Sequence, residues 1–296
     1  MKQSTKFPLR GTGGLKIAIQ KSGRLHDESI RLLNDCGIQV KNGHNQLKSV
    51  AENFPMEVYF LRDDDIPQYV EDNVANLGIV GENVLLEKQK DLHVEELLGF
   101  GKCRLSIALP RNISFDGLTW LNGKKIATSY PEITKKFLEE NKINAEIHEI
   151  SGSVELAPGI GLADAICDLV SSGSTLFMNG LHEVHTLLQS QAVLVRSANL
   201  EPERMDLLKQ LLFRIRAVKK AKNNKYILLN APNDALDHII SLLPGMKSPT
   251  VLPLATSGWS SVHSVLSEDE FWTKIEALKN AGAQGILVVP IEKMIV

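Results

Sequence analysis

The sequence predicts an α/β protein of two lobes followed by a smaller tail. Three observations carry that expectation. A short apolar run, a polar or glycine-containing turn and a segment of helical period recur in that order at least five times, the signature of buried, mostly parallel strands with helical crossovers. The pattern fades into charged residues between Glu87 and Gly101, restarts as a strand at Arg104–Leu109, and reads as returning to the first lobe after Ala192–Arg196. A crossing and a return generate a hinged pair. From Lys225 onward the strands and helices follow a different order.

Taken along the chain, Leu15–Ile19 leads into Gln20-Lys21-Ser22-Gly23-Arg24, and Met56–Leu61 into Arg62-Asp63-Asp64-Asp65-Ile66-Pro67. In the second of these an Asp can cap a helix over Ile66–Asn73, and Pro67 fits its first turn. Leu77–Val80 leads into Gly81-Glu82-Asn83, Ile126–Ala127 into Thr128-Ser129-Tyr130-Pro131, Ile147–Ile150 into Ser151-Gly152-Ser153, and Ala165–Val170 into Ser171-Ser172-Gly173-Ser174-Thr175. In sheets of this kind ligands sit beyond the carboxyl ends of the strands, where these turns lie. The tail reads as strand Tyr226–Asn230, helix Asp234–Leu242, strands Thr250–Leu254 and Val262–Leu266, helix Phe271–Ala281 and strand Gly285–Val289. That order, βαββαβ, is the ferredoxin-like arrangement. The expected division is residues 1–103 with 192–224 as the first lobe, 104–191 as the second, and 225–296 as the tail.

Composition narrows the function classes. A formal charge of −2 leaves no global positive field for nucleic acid, so an anionic ligand must be held by local groups. The most basic stretch, Arg204–Lys225, places its cations among Leu211, Leu212, Ile215 and Val218 at helical spacing, a solvated or subunit-facing helix. The apolar runs are far shorter than the roughly 20 residues of a membrane span. Met1–Gly14 lacks the apolar stretch of an export signal, so the cytoplasm is the expected compartment. Cys36, Cys103 and Cys167 are odd in number and lack CxxC spacing, which argues for small buried residues, not a disulfide framework or a metal site. His182-Glu183-Val184-His185 has its histidines three apart where a zinc helix needs four, and is expected on an exposed helix face. Gly11-Thr12-Gly13-Gly14 precedes the first strand, whereas a dinucleotide loop follows one, so it reads as a flexible lead.

The most informative stretch is Asp164 to Leu176. A strand containing Asp168, a hydroxyl-rich turn with one glycine, and a helix can present N–H groups and hydroxyls to a phosphate, with a carboxylate for two vicinal hydroxyls. That is a match for a ribose 5-phosphate. On shape alone the turn reads equally as an ordinary polar turn with Asp168 as a cap or surface charge. The tail contains no Arg, and Arg supplies the bidentate fork for phosphate, so a small non-phosphorylated effector suits it better.

The run Asp164–Leu176 resembles the phosphoribosyl pyrophosphate motif of the ATP phosphoribosyltransferases. Ile17–Leu25, Arg62–Pro67, Leu77–Val84, Ile126–Pro131 and Gly152–Glu155 resemble that family's blocks in the same order. In the tail, Lys225-Tyr226-Ile227, Leu242–Gly245, Pro249–Leu254 and Pro290–Met294 resemble the regulatory domain of its long form. The resemblance implies two lobes of periplasmic-binding-protein type. It further implies transfer of the phosphoribosyl group to ring nitrogen 1 of ATP, magnesium (Mg2+) carried on substrate phosphates without a protein metal site, inhibition by histidine, and a homohexamer exchanging with a dimer. Under it Ser171, Ser172, Gly173, Ser174 and Thr175 hold the 5-phosphate, with Asp164 in the same motif, and Asp168 holds the ribose hydroxyls. Arg24, Lys21 and Arg62 clamp pyrophosphate or ATP phosphates, and Asp65, Glu82 and Glu155 orient these cations or accept from the substrates. For Lys21 and Glu155 a surface or helix-capping role fits the residues as well. Leu252, Leu254 and Ser257 are expected around the effector.

The chain departs from the family pattern at Ser174, where Ala is frequent, and at Gln68, where Gly is usual. It also lacks an Arg-Glu pair in Lys222-Asn223-Asn224-Lys225. Two rivals stand beside the enzyme: a solute-binding module that closes on a small anion, and a catalytically silent regulatory subunit. The first would suit an export signal, and the second the loss of Arg24, Asp168 or the hydroxyl turn, which are all present.

Overall fold

The computed structural model describes residues 13–41, 46–243 and 245–295. Gly11 and Thr12 of the glycine-rich lead, and Pro244, lie outside the described residues. The chain divides into two compact units, Met1–Leu208 and Lys209–Val296.

The first unit holds strands β1 (Leu15–Gln20), β2 (Lys48–Val50), β3 (Met56–Leu61), β4 (Leu77–Gly81), β5 (His93–Leu97) and β6 (Cys103–Pro110). They are followed by β7 (Lys125–Thr128), β8 (Glu146–Glu149), β9 (Ala165–Val170), β10 (Leu181–Ser190) and β11 (Ala192–Arg196). Its helices are α1 (Arg24–Asp35), α2 (Ile66–Glu71), α3 (Glu82–Lys88), α4 (Pro131–Glu140) and α5 (Ser174–Met178). Helix α6 (Pro202–Lys222) contains the division between the two units, so the compactness boundary falls within this helix, ahead of the expected start of the tail at residue 225.

Two sheets result, in the orders β2-β3-β1-β4-β11-β5 and β10-β6-β9-β7-β8. β1 is central and mostly buried, as its largely apolar run, interrupted only by Lys16 before Gln20, requires, and pairs in parallel with β3 and β4. In the second sheet β7 pairs in parallel with β8 and β9. The expectation of mostly parallel sheets needs correction, because β11 runs antiparallel to β4 and β5, and β6 antiparallel to β9 and β10. Here the chain passes from one sheet to the other and back, and neighbours built from crossing strands run in opposite senses. Gly78 of β4 lets α2 sit against the sheet. A Cβ there would lie 2.8 Å from Ile66 Cγ2 and 3.0 Å from Val70 Cγ2, closer than packed atoms allow.

Three local readings change. Residues 182–185 lie on strand β10, not on a helix; alternation had been obscured by irregular register against β6. Asp65 makes no side-chain cap for α2; Asp63–Asp65 form a 3-10 turn leading into it. Cys103 is half-buried, while Cys36 and Cys167 are buried.

The second unit continues from α6 with β12 (Asn224–Pro232), α7 (Leu236–Leu242), β13 (Thr250–Pro253), β14 (Trp259–Ser267), α8 (Glu268–Asn280) and β15 (Gln284–Pro290). This is βαββαβ with sheet order β13-β14-β12-β15, the ferredoxin-like arrangement. Alternation in β12 and β14 sends Ile227, Leu229, Val262 and Leu266 into one core with Ile239, Phe271 and Leu278 of the helices. A capping box between Ser267 and Glu270 starts α8.

Candidate active site

In the first sheet the parallel register fixes which residues share an edge. Gln20 is level with Leu61, and Ala18 with Gly78, so Lys21, Arg62 and the Gly81–Glu82 turn emerge together at the carboxyl ends of β1, β3 and β4. Lys21 N–H donates to the Leu61 carbonyl at 2.7 Å. Gly23, at φ +92°, makes the backbone turn that a side chain would strain, and Arg24 follows as the first residue of α1. The Arg24 guanidinium donates from Nη1 to Ser171 Oγ at 3.1 Å, although 147 residues separate them. Its Nε lies 3.7 Å from Glu28 Oε2, which accepts from Gly101 N–H at 3.1 Å.

In the second sheet the hydroxyl turn runs from β9 through Ser171–Gly173 into α5. Gly173, at φ +80°, turns the chain, and Ser172 Oγ lies 2.9 Å from Ser174 Oγ. Ser171, Ser172, Ser174 and Thr175 are exposed. Asp168 is half-buried on β9, and its Oδ1 accepts from Leu169 N–H at 2.8 Å. Burial pushes its carboxyl above the usual range, opposed by the Leu169 N–H and reinforced by the negative charge of Glu155. Tyr130 is raised by burial far above an ordinary phenol, opposed by a hydrogen bond from Asn83, with Asp168, Asp63 and Asp64 adding to the rise. The carboxylates of both sheets therefore act on one phenol.

Two further ties join the sheets. Asn83 Nδ2 donates to Tyr130 Oη at 3.1 Å. The Glu87 carboxylate of α3 accepts from the Glu132 and Ile133 N–H groups at 3.0 and 3.1 Å. Tyr130 occupies the cap position of α4 and supplies no side-chain cap, so Glu87 satisfies donors that a helix start leaves open.

The structure thus brings Arg24 directly to Ser171 and sets Glu155 and Asp63 within electrostatic reach of Asp168 and Tyr130. Arg62 and Asp65 are exposed at the first sheet's edge beside Lys21. Glu82 turns toward the crossing between the sheets: its Oε2 accepts from Gln191 N–H at 3.2 Å. Asp164 is a correction. It precedes β9, its Oδ2 accepts from Lys125 N–H at 2.9 Å, and six strand residues at about 3.3 Å each separate it from the hydroxyl turn by about 20 Å. Membership in a contiguous motif says nothing about which end of a strand a residue occupies. Leu252, Leu254 and Ser257 lie in the second unit, on or just after its edge strand β13, where Leu252 and Ser257 are exposed and Leu254 half-buried. Among the described residues no group of three His, Cys, Asp or Glu side chains could hold a metal, and no helix is long and apolar enough to cross a membrane.

Sequence reasoning missed Arg104 and Glu183. Arg104 Nε and Nη2 donate to the two oxygens of Glu183 at 2.6 and 2.5 Å, and Nη1 donates to the Ser171 carbonyl at 3.2 Å. Hydrogen bonding from Arg104 foremost holds the Glu183 carboxyl down at about 2, against an ordinary 4.5, with Ser106 and Thr186 adding to the effect and burial opposing it. A depressed carboxyl contributes stability that is complete above its unfolded value and is lost as pH falls through the folded one. Acid titration of the folded protein should therefore show loss of stability between about pH 4.5 and about pH 2, and Glu183→Gln should flatten that segment; parallel titration curves for the two proteins would rule this out.

Residues 62–217 match the family described as ATP phosphoribosyltransferase, and residues 221–293 match that described as HisG, C-terminal domain. The ATP phosphoribosyltransferase of Cytophaga hutchinsonii is 58% identical over 95% of this chain and 98% of its own length. That of Bacteroides thetaiotaomicron is 56% identical over 95% of this chain and all of its own. Among solved structures, the ATP phosphoribosyl transferase (HisG:HisZ) complex from Thermotoga maritima is similar with a TM-score of 0.59 and 28% identity, covering 68% of this chain and 98% of that one. The L-arginine-bound Tv2483, with a TM-score of 0.50 and 12% identity over 70% of this chain and 86% of its own, shares the fold alone. On these matches, which span nearly its whole length, the chain belongs to the ATP phosphoribosyltransferase family.

Proposed function

We propose that the facing strand ends around Ser171–Thr175 and Arg24 are where this chain transfers the 5-phosphoribosyl group of phosphoribosyl pyrophosphate to ring nitrogen 1 of ATP, releasing pyrophosphate, the first step of histidine biosynthesis. The observation that carries the reading is the Arg24–Ser171 hydrogen bond, which joins a cationic turn of one sheet to the hydroxyl turn of the other. Ser171–Thr175 receive the 5-phosphate through hydroxyls and N–H groups, and Asp168 the ribose hydroxyls. Arg24, with Lys21 and Arg62 on the neighbouring strand ends, takes the pyrophosphate. Asp65, Glu82 and Glu155 orient these cations or accept from ATP.

Bond breaking leaves positive charge on the ribose and places negative charge on the departing pyrophosphate. A fixed carboxylate below the first and guanidinium groups beside the second stabilise that separation more than the ground state, while the two turns hold the reacting atoms in line. Magnesium enters on the substrates' phosphates, which suits a site of hydroxyls and cations. We assign the reaction to the cytoplasm, where ATP and phosphoribosyl pyrophosphate are available.

Residues 225–296 form the regulatory domain under this reading, with histidine as the inhibitor and Leu252, Leu254 and Ser257 near it; residues 1–103 with 192–224, and 104–191, form the catalytic lobes. The working assembly is a homohexamer exchanging with a dimer. Mixing the protein with ATP, phosphoribosyl pyrophosphate and magnesium should yield phosphoribosyl-ATP by mass spectrometry; a correctly folded protein giving none would sink the reading. Added histidine should suppress the product, and a folded chain ending before residue 225 should be insensitive to it. A truncated chain still inhibited would remove the regulatory assignment.

A further inference from the structure

Behind the hydroxyl turn stands an ion pair that the reaction scheme leaves unused. Arg104 lies on β6, level with Val170 of β9, and the guanidinium is divided between two tasks. Its Nε and Nη2 grip both oxygens of Glu183, the fork geometry in which arginine is most strongly oriented. The remaining nitrogen holds the carbonyl of Ser171, the first residue of the turn. Glu183 is anchored in turn: its Oε1 also accepts from Ser106 Oγ at 2.8 Å and from Thr186 Oγ1 at 3.1 Å.

That anchoring depends on an irregular strand. Residues three apart in a regular strand point to opposite faces, yet Glu183 and Thr186 meet. A register shift between Glu183 and His185 of β10 brings them together, and a second follows between Thr186 and Leu188. Bulges of this kind re-aim side chains beside functional sites. The same Ser171 whose carbonyl is held by Arg104 receives Arg24 on its hydroxyl, so one residue is fixed from behind by its own sheet and met from the front by the other.

We propose that Arg104 and Glu183 are a positioning pair that presets the Ser171–Thr175 turn for the 5-phosphate of phosphoribosyl pyrophosphate, a proposal that rests on the reading of that turn given above. Neither side chain touches the reacting atoms. Their effect is confined to one substrate, because the pair supports only the turn that receives it.

Steady-state kinetics with each substrate varied in turn tests this. Glu183→Gln should raise KM for phosphoribosyl pyrophosphate by about tenfold, leaving KM for ATP within about twofold and kcat within about threefold. Arg104→Lys keeps the charge but loses the fork and should give the same split. The double variant should be no worse than the more impaired single one, since the two residues act as a unit. Calorimetric titration with phosphoribosyl pyrophosphate alone should show the same weakening. Should Glu183→Gln fail to fold, Arg104→Lys decides. Unchanged KM for phosphoribosyl pyrophosphate, or both KM values and kcat worsening together with a fall in Tm, would overturn the proposal. If the unaltered protein makes phosphoribosyl-ATP and these variants show no split, the pair's role alone fails; if it makes none, the reading of the turn fails first.

Discussion

Replacing Asp168 by Ala should lower kcat by about a hundredfold or more, with little change in Tm. One well-placed charge contact made in the transition state is worth losses of about that size, and the proposed reading gives that contact to Asp168. Its carboxylate is half-buried at the carboxyl end of β9, tied to its own strand by the Leu169 N–H and otherwise directed by burial. Burial, followed in effect by the neighbouring charge of Glu155, raises its proton affinity. The sign matters for pH. In the proposed role Asp168 acts as the anion, so turnover should fall as pH drops through its raised pKa, and the acid limb of the profile should begin at higher pH than an exposed Asp would give. Asp168→Asn keeps the shape, removes the charge, and should lose both the rate and that limb. Near-normal turnover in either variant would refute the role.

Arg24→Gln should lower kcat/KM for phosphoribosyl pyrophosphate by on the order of a hundredfold. The side chain is 63% exposed, so its removal costs the fold little, and the loss would register where the leaving group develops charge. Its Nη1 already donates to Ser171 Oγ of the facing turn, which places a delocalised cation beside the hydroxyl turn. Arg24→Lys should recover only a small part, because an ammonium cannot offer two parallel donors to a phosphate. Wild-type kinetics in Arg24→Gln would mean that the contact with Ser171 is an idle bridge between exposed groups. Under the proposed reading the two variants separate the two charges of the transition state, with Asp168 assigned to the ribose and Arg24 to the pyrophosphate.

Most of the elements could be read before any coordinates. β3 and β11 lie where their apolar runs placed them, Met56–Leu61 and Ala192–Arg196, since a buried strand bounded by turn residues is a local pattern. The tail's βαββαβ order is equally local. β2, β5 and β10 were missed: β2 has three residues, β5 has exposed and half-buried positions in place of a clean alternation, and β10 carries two register shifts. Each lacks the period that marks a strand.

The site divides along the same line. The sequence by itself determined the chemistry available at each strand end: a hydroxyl turn with its glycine after Val170, a carboxylate at Asp168, and cations after Gln20 and Leu61, because turn residues and strand runs are set by neighbours a few positions away. Only the tertiary structure decided which of these meet. Arg24 reaches Ser171 across 147 residues, Arg104 reaches Glu183 across 79, and Asp164, four residues from Asp168, is carried to the far end of its strand. Such pairings depend on where the chain crosses between sheets and on the register of its bulged strand, and no local period encodes either.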